Sequence, residues 1–79
     1  MSPTAVSVKP IEDYKLFVSF DNGEDRIFDA KPLLSRGPWF EALRDEELFR
    51  TVHVAGLSVE WEEGQDICPD DLYYLSIPV

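Results

Sequence analysis

The chain has 79 residues, 44% of them hydrophobic and 13% aromatic, with 16 acidic and 7 basic side chains and a net charge of −9. That length sets a single domain over residues 1–79 with a modest core, and the aromatic content argues against disorder despite the acidity. So negative a body disfavours direct binding to nucleic acid or to an anionic membrane, both of which need a positive footprint. It suits a small basic protein partner, or plain solubility through self-repulsion.

Cys68 is the only cysteine, so an internal disulfide is excluded and a reducing compartment fits. No signal-peptide pattern opens the sequence, and no stretch has the length of a membrane span. A soluble cytoplasmic protein is expected.

Met1–Thr4 reads as a short tail. Val6 and Val8 alternate with Ser7 and Lys9, which predicts a first strand stopping near Pro10. Glu12-Asp13 turns the chain into its strongest signal, the hairpin Tyr14–Asp29. Tyr14, Leu16, Val18 and Phe20 alternate with Lys15, Phe17 and Ser19, and Arg26, Ile27 and Phe28 return after Asp21-Asn22-Gly23. A two-residue turn would set Asp21 against Glu24 and Leu16 against Asp29. A three-residue turn with Gly23 left-handed pairs Phe20 with Glu24, Leu16 with Phe28 and Phe17 with Ile27, matching apolar with apolar. Phe17 and Ile27 then lie on the face opposite Leu16 and Phe28, so a loop or a partner is expected to cover that second face. A three-strand antiparallel meander is the simplest arrangement.

Pro32 ends strand pairing, and Leu33-Leu34 form an apolar corner before the Ser35-Arg36-Gly37 break. Pro38 opens a short helix ending near Asp45, with Trp39, Phe40 and Leu43 on one side; burial of Trp39 and Phe40 is expected to hold it. Asp45 is predicted to cap a further turn in which Leu48 and Phe49 face inward. Thr51–Trp61 predicts a second hairpin about Gly56-Leu57, pairing Val54 with Val59, Val52 with Trp61 and His53 with Glu60. After the polar loop Glu62–Gln65, Pro69 begins a short helix whose N-terminus carries Asp70 and Asp71. Ile77-Pro78-Val79 reads as a frayed or extended end. The fold class is α+β: a small antiparallel sheet, three-strand meander plus second hairpin, with one or two short helices packed on one face.

Chemistry-bearing residues are sparse. His53 is the sole histidine and faces Glu60 across the second hairpin, a structural pair with no nucleophile legible beside it. Cys68 at a helix start reads as inert. The carboxylates Glu60, Glu62, Glu63, Asp66, Asp70 and Asp71 lack the spacing of a calcium loop, and no Cys/His cluster suits zinc. No catalytic residue, cofactor or metal is therefore assigned. The candidate partner contacts are Trp61, Asp66, Asp70, Asp71, Tyr73 and Tyr74. Two successive tyrosines cannot both point inward from one short helix, so Tyr73 or Tyr74 is exposed.

FDNGEDRIFD, the Leu-Leu corner, an aromatic before EALRD, then LFRTV and VEWEEGQDICPDDLY together resemble the domain of unknown function 2442 family, from about Val6 to Tyr73. The most specific positions are Phe20, Gly23, Phe28, Asp29, Trp61, Gly64, Asp66, Ile67, Pro69, Leu72 and Tyr73. The resemblance implies a small bacterial α+β domain and no established activity. It also implies a gene pair resembling toxin–antitoxin arrangements. Some members add a helix-turn-helix domain; residues 1–79 contain none, so no role in reading DNA is expected.

Three functions follow as expectations. The first is a non-enzymatic protein-interaction module, the acidic antitoxin-like member of a pair. The second is a small-ligand-binding or regulatory domain acting as a homodimer through the face around Phe17 and Ile27. The third is an enzyme using His53, Cys68 or the C-terminal carboxylates.

Overall fold

The computed structural model describes residues 2–79; Met1, at the start of the expected tail, lies outside them. Six strands and three short helices follow in order: β1 (Ala5–Ile11), β2 (Lys15–Phe20), β3 (Asp25–Asp29), α1 (Pro38–Glu41), α2 (Glu46–Phe49), β4 (His53–Ala55), β5 (Ser58–Glu60), α3 (Pro69–Tyr74) and β6 (Ile77–Pro78). Short 3-10 segments at Lys31–Ser35 and Ala42–Arg44 flank α1. The strands form an antiparallel sheet in the order β1-β2-β3-β6 and a separate β4-β5 hairpin. This is the expected α+β class, with one strand more.

The central hairpin has the three-residue register. Leu16 faces Phe28 and Phe17 faces Ile27. Phe20 N–H donates to the Glu24 carbonyl at 2.9 Å, and Gly23 takes φ +87° in the turn. A side chain at Gly23 would be strained in that conformation, so turn chemistry and strand alternation select the same pairing. The second hairpin pairs His53 with Glu60 and Val54 with Val59, also as expected.

One face of the sheet supplies Leu16, Val18, Phe20 and Phe28 to a single core. Leu43, Phe49, Val59, Trp61, Ile67 and Leu72 close it from the helices and the second hairpin. Asp45 caps α2 through the Glu47 N–H, at 3.0 Å.

Some expectations are refined and others corrected. Thr4, in the expected tail, is tethered: Asp21 N–H donates to the Thr4 carbonyl at 2.8 Å, and Thr4 N–H to Asp21 Oδ1 at 3.1 Å. The first strand ends at Ile11, near Pro10 as expected, and the proline is tolerated because β1 is an edge strand. A register shift between Ala5 and Ser7 leaves Val6 exposed and gives the buried position to Ala5. Tyr14 belongs to the turn, where it and Asp13 both have positive φ. Its hydroxyl donates to the Arg44 carbonyl at 2.5 Å and its ring meets Phe49 edge-on, holding that conformation.

Trp39 is 53% exposed, against the burial expected of it. Helix α1 tightens into a 3-10 turn at Ala42, and in that geometry side chains three apart eclipse. Phe40 and fully buried Leu43 therefore align inward, and Trp39 rotates out. Of the two forms expected for the C-terminal end, frayed or extended, the structure shows the extended one: Ile77-Pro78 is a strand paired with β3, Ile77 opposite Ile27.

Candidate functional site

The expected contact residues do not form one surface. Trp61 is 1% exposed; its indole N–H donates to the Phe49 carbonyl at 3.0 Å, and its ring packs on Phe49. It is a core residue, which corrects its assignment as a contact. Asp66 and Asp70 are exposed and Asp71 is half-buried. Tyr74 is 64% exposed, whereas Tyr73 packs edge-on against Phe20, so Tyr74 is the outward member of the pair.

Tyr73 anchors the densest polar network. Its hydroxyl donates to Glu24 Oε2, which also accepts from Asn22 Nδ2. Arg26 donates to Glu24 Oε1 at 3.0 Å, to Ser76 Oγ at 2.8 Å and to the Ser76 carbonyl at 2.7 Å. The Tyr73 hydroxyl, with Asn22 and Arg26 assisting, holds the Glu24 carboxyl below its ordinary range, and the same bond to Glu24 raises the Tyr73 phenol. Each of these side chains bonds within the fold, so the network fastens β6 and α3 to the hairpin.

His53 Nδ1 lies 2.9 Å from the Thr51 carbonyl and Nε2 lies 3.1 Å from Glu60 Oε1. Protonation lets both nitrogens donate. The Thr51 carbonyl first, then Glu60, therefore raise the imidazole above its ordinary value. Cys68 is exposed and free, at the cap of α3. Among the described residues, no group of three or more His, Cys, Asp or Glu is placed to hold a metal ion.

A different surface gathers charge without neutralising it. Ala42, Asp45, Glu47, Leu48, Thr51, Glu62 and Glu63 line an open groove of about 670 Å³. Among the described residues none of its four carboxylates has a salt-bridge partner. Leu48 and Ala42 give it an apolar floor. The exposed Trp39 stands against Gly64, next to Glu63, and Gln65 Nε2 ties the Trp39 carbonyl to that loop at 2.8 Å. Asp45, Glu47, Leu48 and Trp39 were not expected at a contact surface. Their distance in sequence from Glu62 and Glu63 conceals the groove, which closes when Glu62 N–H meets Thr51 Oγ1 at 3.0 Å.

The fold is that of a small α+β domain built on a four-strand antiparallel sheet. The family model described as "Protein of unknown function (DUF2442)" matches residues 5–78, and the chain belongs to that family. No curated protein and no solved structure matches it. Among the described residues, no helix is long and apolar enough to cross a membrane.

Proposed function

We propose that the chain is a non-enzymatic interaction module whose acidic groove grips a basic segment of a partner protein. The unneutralised set Asp45, Glu47, Glu62 and Glu63 around Leu48 carries this reading. A Lys- or Arg-bearing segment would complement the walls, with an apolar side chain on Leu48. An antitoxin-like role beside a small basic protein is the form this takes in a paired gene arrangement. Asp66, Asp70, Asp71, Tyr73 and Tyr74 are the competing contact set.

A fluorescent Lys/Arg-rich peptide with a central leucine is the probe. Binding should weaken as salt is added, because the charges are exposed and screened. Glu47→Lys with Glu62→Lys should abolish it, while Asp70→Lys with Asp71→Lys, which changes net charge equally, should leave most of it. Equal losses in both variants would reduce the effect to bulk charge, and loss only in the second would move the grip to α3.

A second reading, a small-ligand or regulatory domain, is favoured by a pocket of about 220 Å³ beside the left-handed Tyr14, lined also by Ile11, Phe49 and Arg50. Stabilisation of the protein by a metabolite in a thermal-shift screen, lost in Arg50→Ala, is its test.

A further inference from the structure

The outer face of the sheet has an unusual charge balance. Its middle row runs Lys9, Phe17, Ile27, Ile77 across β1, β2, β3 and β6. On one side of that row Ile11, Lys15 and Asp29 lie in register; on the other lie Ser7, Ser19 and Asp25. Phe17 and Ile27 are half-buried and Ile77 is 70% exposed, so β6 has lengthened the apolar row without covering it.

All three lysines of the chain, Lys9, Lys15 and Lys31, belong to this face or its end. Lys31 Nζ contacts Asp29 and Asp13, and Lys15 Nζ approaches Asp13. Three aspartates, Asp13, Asp25 and Asp29, balance the three lysines. The whole net charge of −9 therefore resides elsewhere. An acidic molecule that repels its own copies over most of its surface has one region where a copy can approach without that penalty.

We infer that this face pairs with the same face of a second copy, about a two-fold axis parallel to the strands between β2 and β3. Such an operation carries β2 of one protomer over β3 of the other. It sets Lys15 against the partner copy's Asp29 position, Phe17 against the Ile27 position and Ser19 against the Asp25 position, each pair occurring twice. Lys9 falls over the Ile77 position, where its aliphatic stem covers the exposed isoleucine. Stacked sheets with closely aligned strands are a standard packing. The charge complementarity of Lys15 and Asp29, which the axis brings together twice, favours a second copy as the occupant. Four strands about 4.8 Å apart make a small footprint, so the expected dimer is weak and concentration-dependent, with a dissociation constant of roughly 10–100 μM taken as the working range.

Sedimentation between about 5 and about 500 μM, a span that brackets that affinity, is the first measurement. The 9.1 kDa chain should rise toward twice its mass. Phe17→Asp should hold it at the monomer mass throughout. Lys15→Asp and Asp29→Lys should each weaken association tenfold or more, since each sets like charges across the axis. An equimolar mixture of those two variants should reassociate, because the mixed pair alone matches every charge. That rescue cannot come from restored folding, since each chain keeps its own intramolecular clash. A monomer at all concentrations, a dimer indifferent to Phe17→Asp, or variants that fail to rescue each other would overturn the inference.

Discussion

The Arg26 guanidinium lies 4.4 Å from the centre of the Tyr73 ring while donating two hydrogen bonds to Ser76. One side chain of the central hairpin thus fixes both the end of α3 and the approach to β6. Strand β6 itself has two residues and little apolar burial, so its place in the sheet depends on this fork.

Arg26→Ala should destabilise the protein by about 2–4 kcal/mol, the cost of removing a mostly buried side chain and leaving the buried Ser76 acceptors unpaired. Urea unfolding measures it. Hydrogen exchange at the Val79 amide, which bonds the Asp25 carbonyl, should accelerate before the rest of the sheet. Arg26→Lys should recover only a minor part, because an ammonium cannot reproduce the fork.

Acid sensitivity follows from Glu24. Its carboxyl is lowered in the folded state, chiefly by the Tyr73 hydroxyl. The resulting stability is present above the ordinary value of 4.5 and is lost as pH falls through the folded value. Glu24→Gln should flatten the acid limb of the stability profile and leave the neutral region as its new maximum. An unchanged acid limb would show that other carboxylates govern it.

The His53 imidazole works in the opposite sense. Its folded value is raised, so its contribution is complete below 6.5 and is lost as pH rises through the folded value. An NMR titration should find it protonated to higher pH than a free histidine. Glu60→Gln should lower the midpoint only in part, because the Thr51 carbonyl is the larger cause.

Gly64 takes φ +101°, and a Cβ there would meet the Trp39 ring at 3.5 Å, an ordinary contact. Backbone conformation, not crowding, therefore sets the cost. Gly64→Ala should lose about 1–2 kcal/mol. It should also shift Trp39 fluorescence, because the added methyl sits in contact with the indole ring.

The hairpin registers were legible because local turn chemistry and period-2 alternation agreed at Gly23 and at Gly56-Leu57. Trp39 was misread because the helix changes pitch after one turn, and periodicity over so few residues cannot register that change. Strand β6 escaped because two residues, one of them proline, carry no alternation; only Arg26 and the β3 edge define it. By sequence Trp61 falls both in the apolar pairing of the second hairpin and in the contact set; its indole reaches inward to Phe49, which removes it from the second. The groove joins α2 to the loop after β5, so no single stretch of sequence contains it.

The gathering of Lys9, Lys15 and Lys31 on one side has a practical corollary. Amine-reactive coupling through side chains would immobilise the molecule in a single orientation, sheet toward the support and helices toward the bulk. A biosensor prepared that way would report on the acidic groove and be blind to self-association, whereas attachment through the Cys68 thiol would leave the lysine-bearing face free.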